Sequence, residues 1–136
     1  ESSDLLQECI KTDDFIKKNG PIDMILLGMG MNGHLGLNEP GCSFDLYSHI
    51  VDLDETTKIV GQKYFSGKVQ LTSGITLGSK YIMEAGTVIL QLNGIRKAEV
   101  ARRLMDSEIS TVFPASILKS HLNSFLLLDK EAAEYL

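Results

Sequence analysis

Residues 22–41 read Ile-Asp-Met-Ile-Leu-Leu-Gly-Met-Gly-Met-Asn-Gly-His-Leu-Gly-Leu-Asn-Glu-Pro-Gly, so an almost continuous apolar run passes directly into a glycine-rich loop. The apolar run predicts a central strand of a parallel sheet, because such strands are covered on both faces. The loop holds a histidine and a carboxylate among glycines, which have no side chain to bury. Ligands bind at the carboxyl ends of the strands in open α/β sheets, so this loop is the candidate site.

The glycines of the loop also fit a dinucleotide-binding pattern. Gly28, Gly30 and Gly33 spell G-x-G-x-x-G after the predicted strand. That fingerprint needs a helix beginning at its third glycine, since the helix N-terminus holds the pyrophosphate. The following residues, 35–41, contain further glycines and a proline that break a helix. The sequence therefore disfavours a nicotinamide cofactor.

The whole chain alternates predicted helices with predicted strands. Helices are predicted at 3–18, 55–64, 77–84, 95–105 and 114–119, and strands or extended segments at 22–27, 47–51, 69–72, 87–92 and 124–128. Such alternation predicts an α/β fold with a mostly parallel sheet. The length of 136 residues predicts one domain.

Composition narrows the class of protein. A net charge of −5 argues against nucleic acid as a partner, because a nucleic-acid-binding protein needs a basic face. No apolar run is long enough to span a bilayer. Cys9 and Cys42 have no metal-ligand spacing, which favours a reduced, cytoplasmic setting.

His34 and Glu39 are the residues of the loop best suited to acid–base chemistry. Imidazole changes its charge near neutral pH and can therefore transfer protons. Pro40 restricts Glu39 to extended backbone conformations, which would aim its side chain reproducibly. The two residues would not face each other on a helix, so we expect a returning loop to bring them together.

Lys97 is the candidate phosphate ligand. It follows the predicted strand 87–92 and the Asn93-Gly94 turn, so it lies at the start of a predicted helix. The free N–H groups of a helix start favour an anion. A lysine is mildly unfavourable there unless a phosphate is bound beside it.

Three segments together resemble the glucosamine-6-phosphate deaminase/isomerase family: the loop at 28–40, Thr-Ser-Gly-Ile-Thr-Leu-Gly at 72–78, and Pro-Ala-Ser at 114–116. The related 6-phosphogluconolactonases share the first half of the loop but continue with a Thr-Ala-Ser-Leu-Phe-Pro type of run. This chain has Asn38-Glu39-Pro40 instead, so the resemblance favours the amino-sugar branch over a lactonase. It implies a three-layer, Rossmann-like sugar-phosphate isomerase fold.

The resemblance assigns roles to individual residues. It implies that His34 passes a proton between the ring oxygen and the C1 hydroxyl of the sugar, and that Glu39 orients or tunes His34. It makes Lys97 a ligand of the substrate phosphate and Lys63, where many relatives have arginine, a second one. Gly30 and Gly33 join these as substrate-binding candidates.

Asn32 is the departure from the glucosamine-type pattern, which has an aspartate two residues before the histidine. We include Asn32 among the catalytic candidates. The combination of Asn-Gly-His-Leu-Gly-Leu-Asn-Glu-Pro with 74–78 and 114–116 looks closer to galactosamine-6-phosphate isomerases or deaminases. The substrate epimer stays open between galactosamine and glucosamine 6-phosphate.

The reaction implied by the resemblance opens a 2-amino-2-deoxyhexose 6-phosphate, moves a proton from C2 to C1, and releases ammonia from a ketohexose 6-phosphate. No metal or organic cofactor is implied, because acid and base suffice for these steps. The expected partner is a small-molecule amino-sugar phosphate, without nucleic acid or membrane, and a homo-oligomer stays open.

The resemblance covers only the later part of family members, which begin with several βα units. Those units supply a phosphate-binding loop and the aspartate taken as the proton-abstracting base. We therefore expect residues 1–136 to be the C-terminal portion of a single domain. An alternative is the sugar-phosphate-binding sensor domain of a regulator, which would need no His34–Glu39 pair.

Overall fold

The computed structural model describes residues 4–53, 58–59 and 61–136. Within those ranges, no helix is both long and apolar enough to cross a bilayer. The elements in chain order are helix α1 (Leu5–Asn19), strand β1 (Met24–Leu27), β2 (His49–Asp52), a 3-10 helix (Gln62–Tyr64), β3 (Ser73–Thr76), α2 (Ser79–Glu84), β4 (Thr87–Leu92), a 3-10 helix (Ile95–Lys97), α3 (Ala98–Asp106), a 3-10 helix (Pro114–Ser120) and β5 (Ser124–Leu128).

The main sheet has three parallel strands in the order β1-β4-β5. Leu27 at the end of β1 pairs with Leu90, and Leu92 at the end of β4 pairs with Leu128. The segments that follow these strands therefore leave the same edge of the sheet. The predicted α/β fold with a mostly parallel sheet is confirmed, and the candidate loop lies at its carboxyl edge.

The strand predicted at 69–72 is displaced in the structure. The observed strand is β3, Ser73–Thr76, which pairs antiparallel with β2 in a separate two-stranded sheet. Gly74 is a poor strand former on its own, but it pairs with Val51, and a Cβ there would lie 2.9 Å from the Leu37 side chain. Tertiary packing thus overrides local propensity. The helix predicted at 55–64 falls partly outside the described residues, and its end is the 3-10 helix Gln62–Tyr64.

Helix boundaries follow local signals. Asp4 caps the N-terminus of α1, because its carboxylate accepts hydrogen bonds from the N–H groups of Leu6 and Gln7. Gly20, with a φ of +99°, ends it as the Asn-Gly-Pro sequence predicts. The helix predicted at 95–105 is instead one 3-10 turn followed by α3, and the helix that starts at Pro114 is also 3-10.

The core lies on one face of the parallel sheet. Alternate residues of β4 point into it and pack with the apolar stripe of α3 and with the 3-10 helix Pro114–Ser120. Its buried members include Val88, Leu90, Leu92, Val100, Ala101, Leu104, Ile117 and Leu118. This packing fixes the ends of β1 and β4, from which the candidate site is built.

Candidate active site

The loop after β1 brings His34 and Glu39 together. His34 Nδ1 lies 3.3 Å from Glu39 Oε1, with the two side chains 30% and 19% exposed. Both atoms are buried, and neither makes an aligned hydrogen bond to any residue that the structure describes. The loop therefore returns as predicted and brings the carboxylate beside Nδ1 of a partly open imidazole, at a distance from which it can orient a base.

Asn32 links both residues of this pair. Its Nδ2 donates to Glu39 Oε2 at 2.7 Å, and its Oδ1 accepts from the backbone N–H of His34 at 3.1 Å. The side chain of Asn32 thus touches the carboxylate and the loop backbone. Asn32, His34 and Glu39, predicted as one catalytic group, lie within one cluster.

Gly30 and Gly33 shape the backbone under the imidazole. A Cβ at Gly30 would lie 2.3 Å from His34 Cε1, so the ring packs directly on the glycine backbone. Gly33 has a φ of +89°, and a Cβ there would lie 2.4 Å from the ring of Phe113. Both glycines allow a ring to approach the backbone closely, the His34 ring at Gly30 and the Phe113 ring at Gly33. The contact with Phe113 was not predicted from the sequence.

Asn38 anchors the returning half of the loop, another role that sequence reasoning missed. Its side chain is fully buried and donates to the carbonyl oxygens of Leu35 at 2.8 Å and Leu77 at 2.9 Å. Leu37 N–H donates to Thr76 Oγ1 at 3.3 Å. The segment around Thr76 therefore fixes the two residues that precede Glu39. The Asn-Glu-Pro motif was the available signal, because a buried asparagine needs hydrogen-bond partners.

Lys97 reaches the same loop from the 3-10 helix that follows β4. Its Nζ donates a short hydrogen bond to the carbonyl oxygen of Met29, the neighbour of Gly30. The side chain is partly buried, and this burial lowers the pKa of the Lys97 ammonium from its ordinary value of 10.5. A desolvated cation beside a neutral carbonyl has capacity to bind an anion.

The helix start beside Lys97 differs from the expectation. We expected free N–H groups there, but Gly94 N–H donates to the Asp129 carboxylate at 2.9 Å and Ile95 N–H donates to Glu131 at 3.1 Å. These carboxylates lie just after β5, far away in sequence, so local patterning gave no sign of them. An anion near Lys97 would therefore meet the ammonium group and not these two amides.

Lys63 lies exposed in the 3-10 helix Gln62–Tyr64, and its contribution to phosphate binding stays a prediction. Across the described ranges, no three His, Cys, Asp or Glu side chains come together as a metal site would require.

Solved structures share this architecture. The chain is similar over its full length to a monomeric glucosamine-6-phosphate deaminase, with 37% identity, a TM-score of 0.90 and 57% of that chain covered. A 6-phosphogluconolactonase from Trypanosoma brucei matches at 23% identity and a TM-score of 0.71 over 100% of this chain and 55% of that one, which shows the fold alone.

Sequence relatives agree with that similarity. Glucosamine-6-phosphate deaminase from Oceanobacillus iheyensis is 40% identical over 98% of this chain and 54% of its own length. Glucosamine-6-phosphate deaminase 1 from Bacillus subtilis is 38% identical over 97% of this chain and 55% of its own. The chain thus spans about half the length of these relatives. Residues 2–126 match the family described as glucosamine-6-phosphate isomerases/6-phosphogluconolactonase, and the chain belongs to that family.

Proposed function

We propose that this chain carries the proton-transfer loop and a phosphate ligand of an amino-sugar 6-phosphate deaminase. The observation that carries the proposal is the His34–Glu39 pair, with 3.3 Å between Nδ1 and Oε1 on a loop at the carboxyl edge of a parallel sheet. The names of the deaminase relatives support the same substrate class. A sensor domain would need no such pair, and nothing in the site favours that alternative.

In the proposed reaction, His34 opens the sugar ring. With Nδ1 facing Glu39, the opposite nitrogen, Nε2, is available to a substrate. The imidazole takes the proton of the C1 hydroxyl and delivers a proton to the ring oxygen, which breaks the C1–O5 bond and forms the aldehyde. Glu39 stabilises the imidazolium that forms between these two transfers.

Lys97 binds the 6-phosphate in this proposal. Its ammonium group contacts the same loop as His34 through Met29 and has lost part of its hydration. A phosphate would replace that lost hydration with a charge-assisted contact. Lys63 is proposed as a second phosphate ligand.

The finer features of the proposal rest on resemblance. Asn32, in place of the aspartate of glucosamine-type members, favours galactosamine 6-phosphate, whereas the relatives named above are glucosamine-6-phosphate deaminases. A cytoplasmic location also stays a prediction. Whether the protein forms a homo-oligomer is left open. The solved deaminase is described as monomeric.

The test uses a joined protein, in which this chain replaces the matching half of the Oceanobacillus iheyensis deaminase. Ammonia release is measured with galactosamine 6-phosphate and with glucosamine 6-phosphate, for the joined protein and for the chain alone. We expect release by the joined protein, with the larger kcat/KM for the galactosamine epimer. A folded joined protein that binds phosphate but releases ammonia from neither epimer would refute the proposed function, and a glucosamine preference would refute the epimer assignment.

A further inference from the structure

The two cysteines of the chain have different surroundings. Cys9 lies in α1 and is only 2% exposed. Cys42 is half-buried in the loop that follows Pro40, beside the side chain of His49 from β2. Neither residue belongs to the proton-transfer group described above.

His49 is oriented as a base toward the Cys42 sulfur. Its Nδ1 lies 2.9 Å from the carbonyl oxygen of Tyr47, which can only accept, so Nδ1 carries the hydrogen of the neutral ring. The lone pair is then on Nε2, which lies 3.4 Å from Cys42 Sγ. The other polar neighbours of the sulfur, Asn38 Oδ1 and the Ser43 carbonyl oxygen, are each at 3.9 Å.

This arrangement matches the general pattern of an activated nucleophile: a thiol, a base within reach and a third group that orients the base. Burial raises the pKa of the Cys42 thiol from its ordinary value of 9.0. The free thiolate is therefore scarce at neutral pH, and an imidazole nitrogen 3.4 Å from the sulfur can speed the reaction by taking the proton.

Cys42 is also connected to the candidate active site. Its backbone N–H donates to the carbonyl oxygen of Glu39 at 3.0 Å, and its sulfur touches the side chain of Asn38, the buried anchor of the loop. A group attached to the sulfur would occupy space beside Asn38 and the Glu39–Cys42 turn.

We propose that Cys42 is a site of covalent modification by small-molecule disulfides, with His49 as its base, and that the mixed disulfide loosens the loop that carries Glu39. His49 Nε2 takes the thiol proton as Cys42 Sγ bonds to one sulfur of the disulfide. The S–S bond breaks, and the departing thiolate takes the proton from His49. The Cys42 sulfur is oxidised and the departing sulfur is reduced.

The test follows thiol release from dithiobis-nitrobenzoate by the folded chain. We expect one fast thiol in the native protein and a second one only in denaturant. Cys42→Ser removes the fast reaction, and the matched control Cys9→Ser leaves it unchanged. His49→Asn, whose side-chain amide can still donate to the Tyr47 carbonyl oxygen but lacks the basic nitrogen, slows it by about a hundredfold.

The proposal is overturned if Cys42 reacts no faster than Cys9 in the native protein, or if His49→Asn leaves the fast rate unchanged. A variant that unfolds exposes Cys9 as well and releases two fast thiols, in which case His49→Gln repeats the comparison.

For the loop, we expect faster hydrogen exchange at the Asn38 and Cys42 amides after labelling. Unchanged exchange overturns the proposal that the mixed disulfide loosens the loop that carries Glu39. These readouts need no turnover, so their outcome is independent of the proposed function.

Discussion

At the scale of single residues, the environment of Glu39 decides how the site can work. One carboxylate oxygen accepts from Asn32 Nδ2 at 2.7 Å, and the other faces His34 Nδ1 at 3.3 Å. Asn32 therefore holds the carboxylate in place and adds no charge of its own. An aspartate at this position would present a second carboxylate to Glu39 instead of a donor.

Asn32→Asp tests this arrangement through stability. Two carboxylates in contact repel each other, so one of them retains its proton to higher pH in the folded variant than in the unfolded chain. The variant is then destabilised at neutral pH, and this loss shrinks as the pH falls. We expect thermal unfolding of Asn32→Asp to differ from the wild type more at pH 7 than at pH 4.

Asn32→Ala is the matched control, because it removes the donor without adding a charge. We expect it to cost about 1 kcal/mol at pH 7 and to vary less between pH 7 and pH 4 than Asn32→Asp, because it removes a donor to Glu39 without adding repulsion. Equal pH dependence in the two variants would contradict the contact between residue 32 and Glu39.

Lys97→Met tests the proposed phosphate ligand. Loss of a charge-assisted hydrogen bond predicts weaker binding of inorganic phosphate by about 1.5–3 kcal/mol, measured by calorimetric titration. Because burial lowers the pKa of Lys97, wild-type affinity should decline with rising pH before 10.5 is reached. Lys119→Met is the control, since the Lys119 ammonium also donates to a carbonyl oxygen, that of Met105, away from the loop. A similar loss in both variants would place the anion elsewhere.

At the scale of elements, the junction between β1 and its loop was predictable from the sequence. The contacts that other segments make with this loop were not. Apolar runs identified β1, β4 and β5, because such runs suit parallel strands. The predicted central position of β1 is wrong among the described strands, since β1 lies at one edge of the sheet and exposes one face. The β3 strand was predicted four residues too early, at 69–72, since its pairing with β2 outweighs the poor local propensity of Gly74. The contact of Lys97 with Met29 joins residues far apart in sequence, so no local pattern could reveal it.

Gly30 and Gly28 offer a matched pair for testing the cradle under His34. A Cβ at Gly30 would lie 2.3 Å from the imidazole, whereas a Cβ at Gly28 would meet nothing within 4 Å. We expect Gly30→Ala to displace the His34 ring, seen as a changed ring resonance in NMR spectra and as loss of ammonia release in the joined protein. Gly28→Ala should leave both unchanged. Equal effects would mean that the ring does not pack on Gly30.

At the scale of the whole molecule, one face of the parallel sheet is open within the part of the chain that the structure describes. Met24, Leu26, Phe125 and Leu127 are 59%, 63%, 52% and 51% exposed, and they alternate with the residues that face the core. Parallel sheets are ordinarily covered on both faces, and exposed apolar patches of this kind favour aggregation.

We therefore expect Leu26→Lys to raise the concentration at which the chain alone stays soluble, measured by static light scattering, at little cost in unfolding free energy. Leu122 is fully exposed and lies outside this face, so Leu122→Lys should bring no comparable gain. If both substitutions improve solubility equally, added charge is the cause and not the sheet face.

The most direct test of the central claim is the kcat of His34→Asn in the joined protein on the cyclic amino-sugar phosphate, measured beside the inhibition constant of inorganic phosphate. Loss of a proton-transfer group predicts a fall in kcat of roughly a hundred- to ten-thousand-fold. Phosphate inhibition should be nearly unchanged, because Lys97 and its contact with Met29 are retained. An unchanged kcat on the closed sugar would contradict the assignment of ring opening to His34.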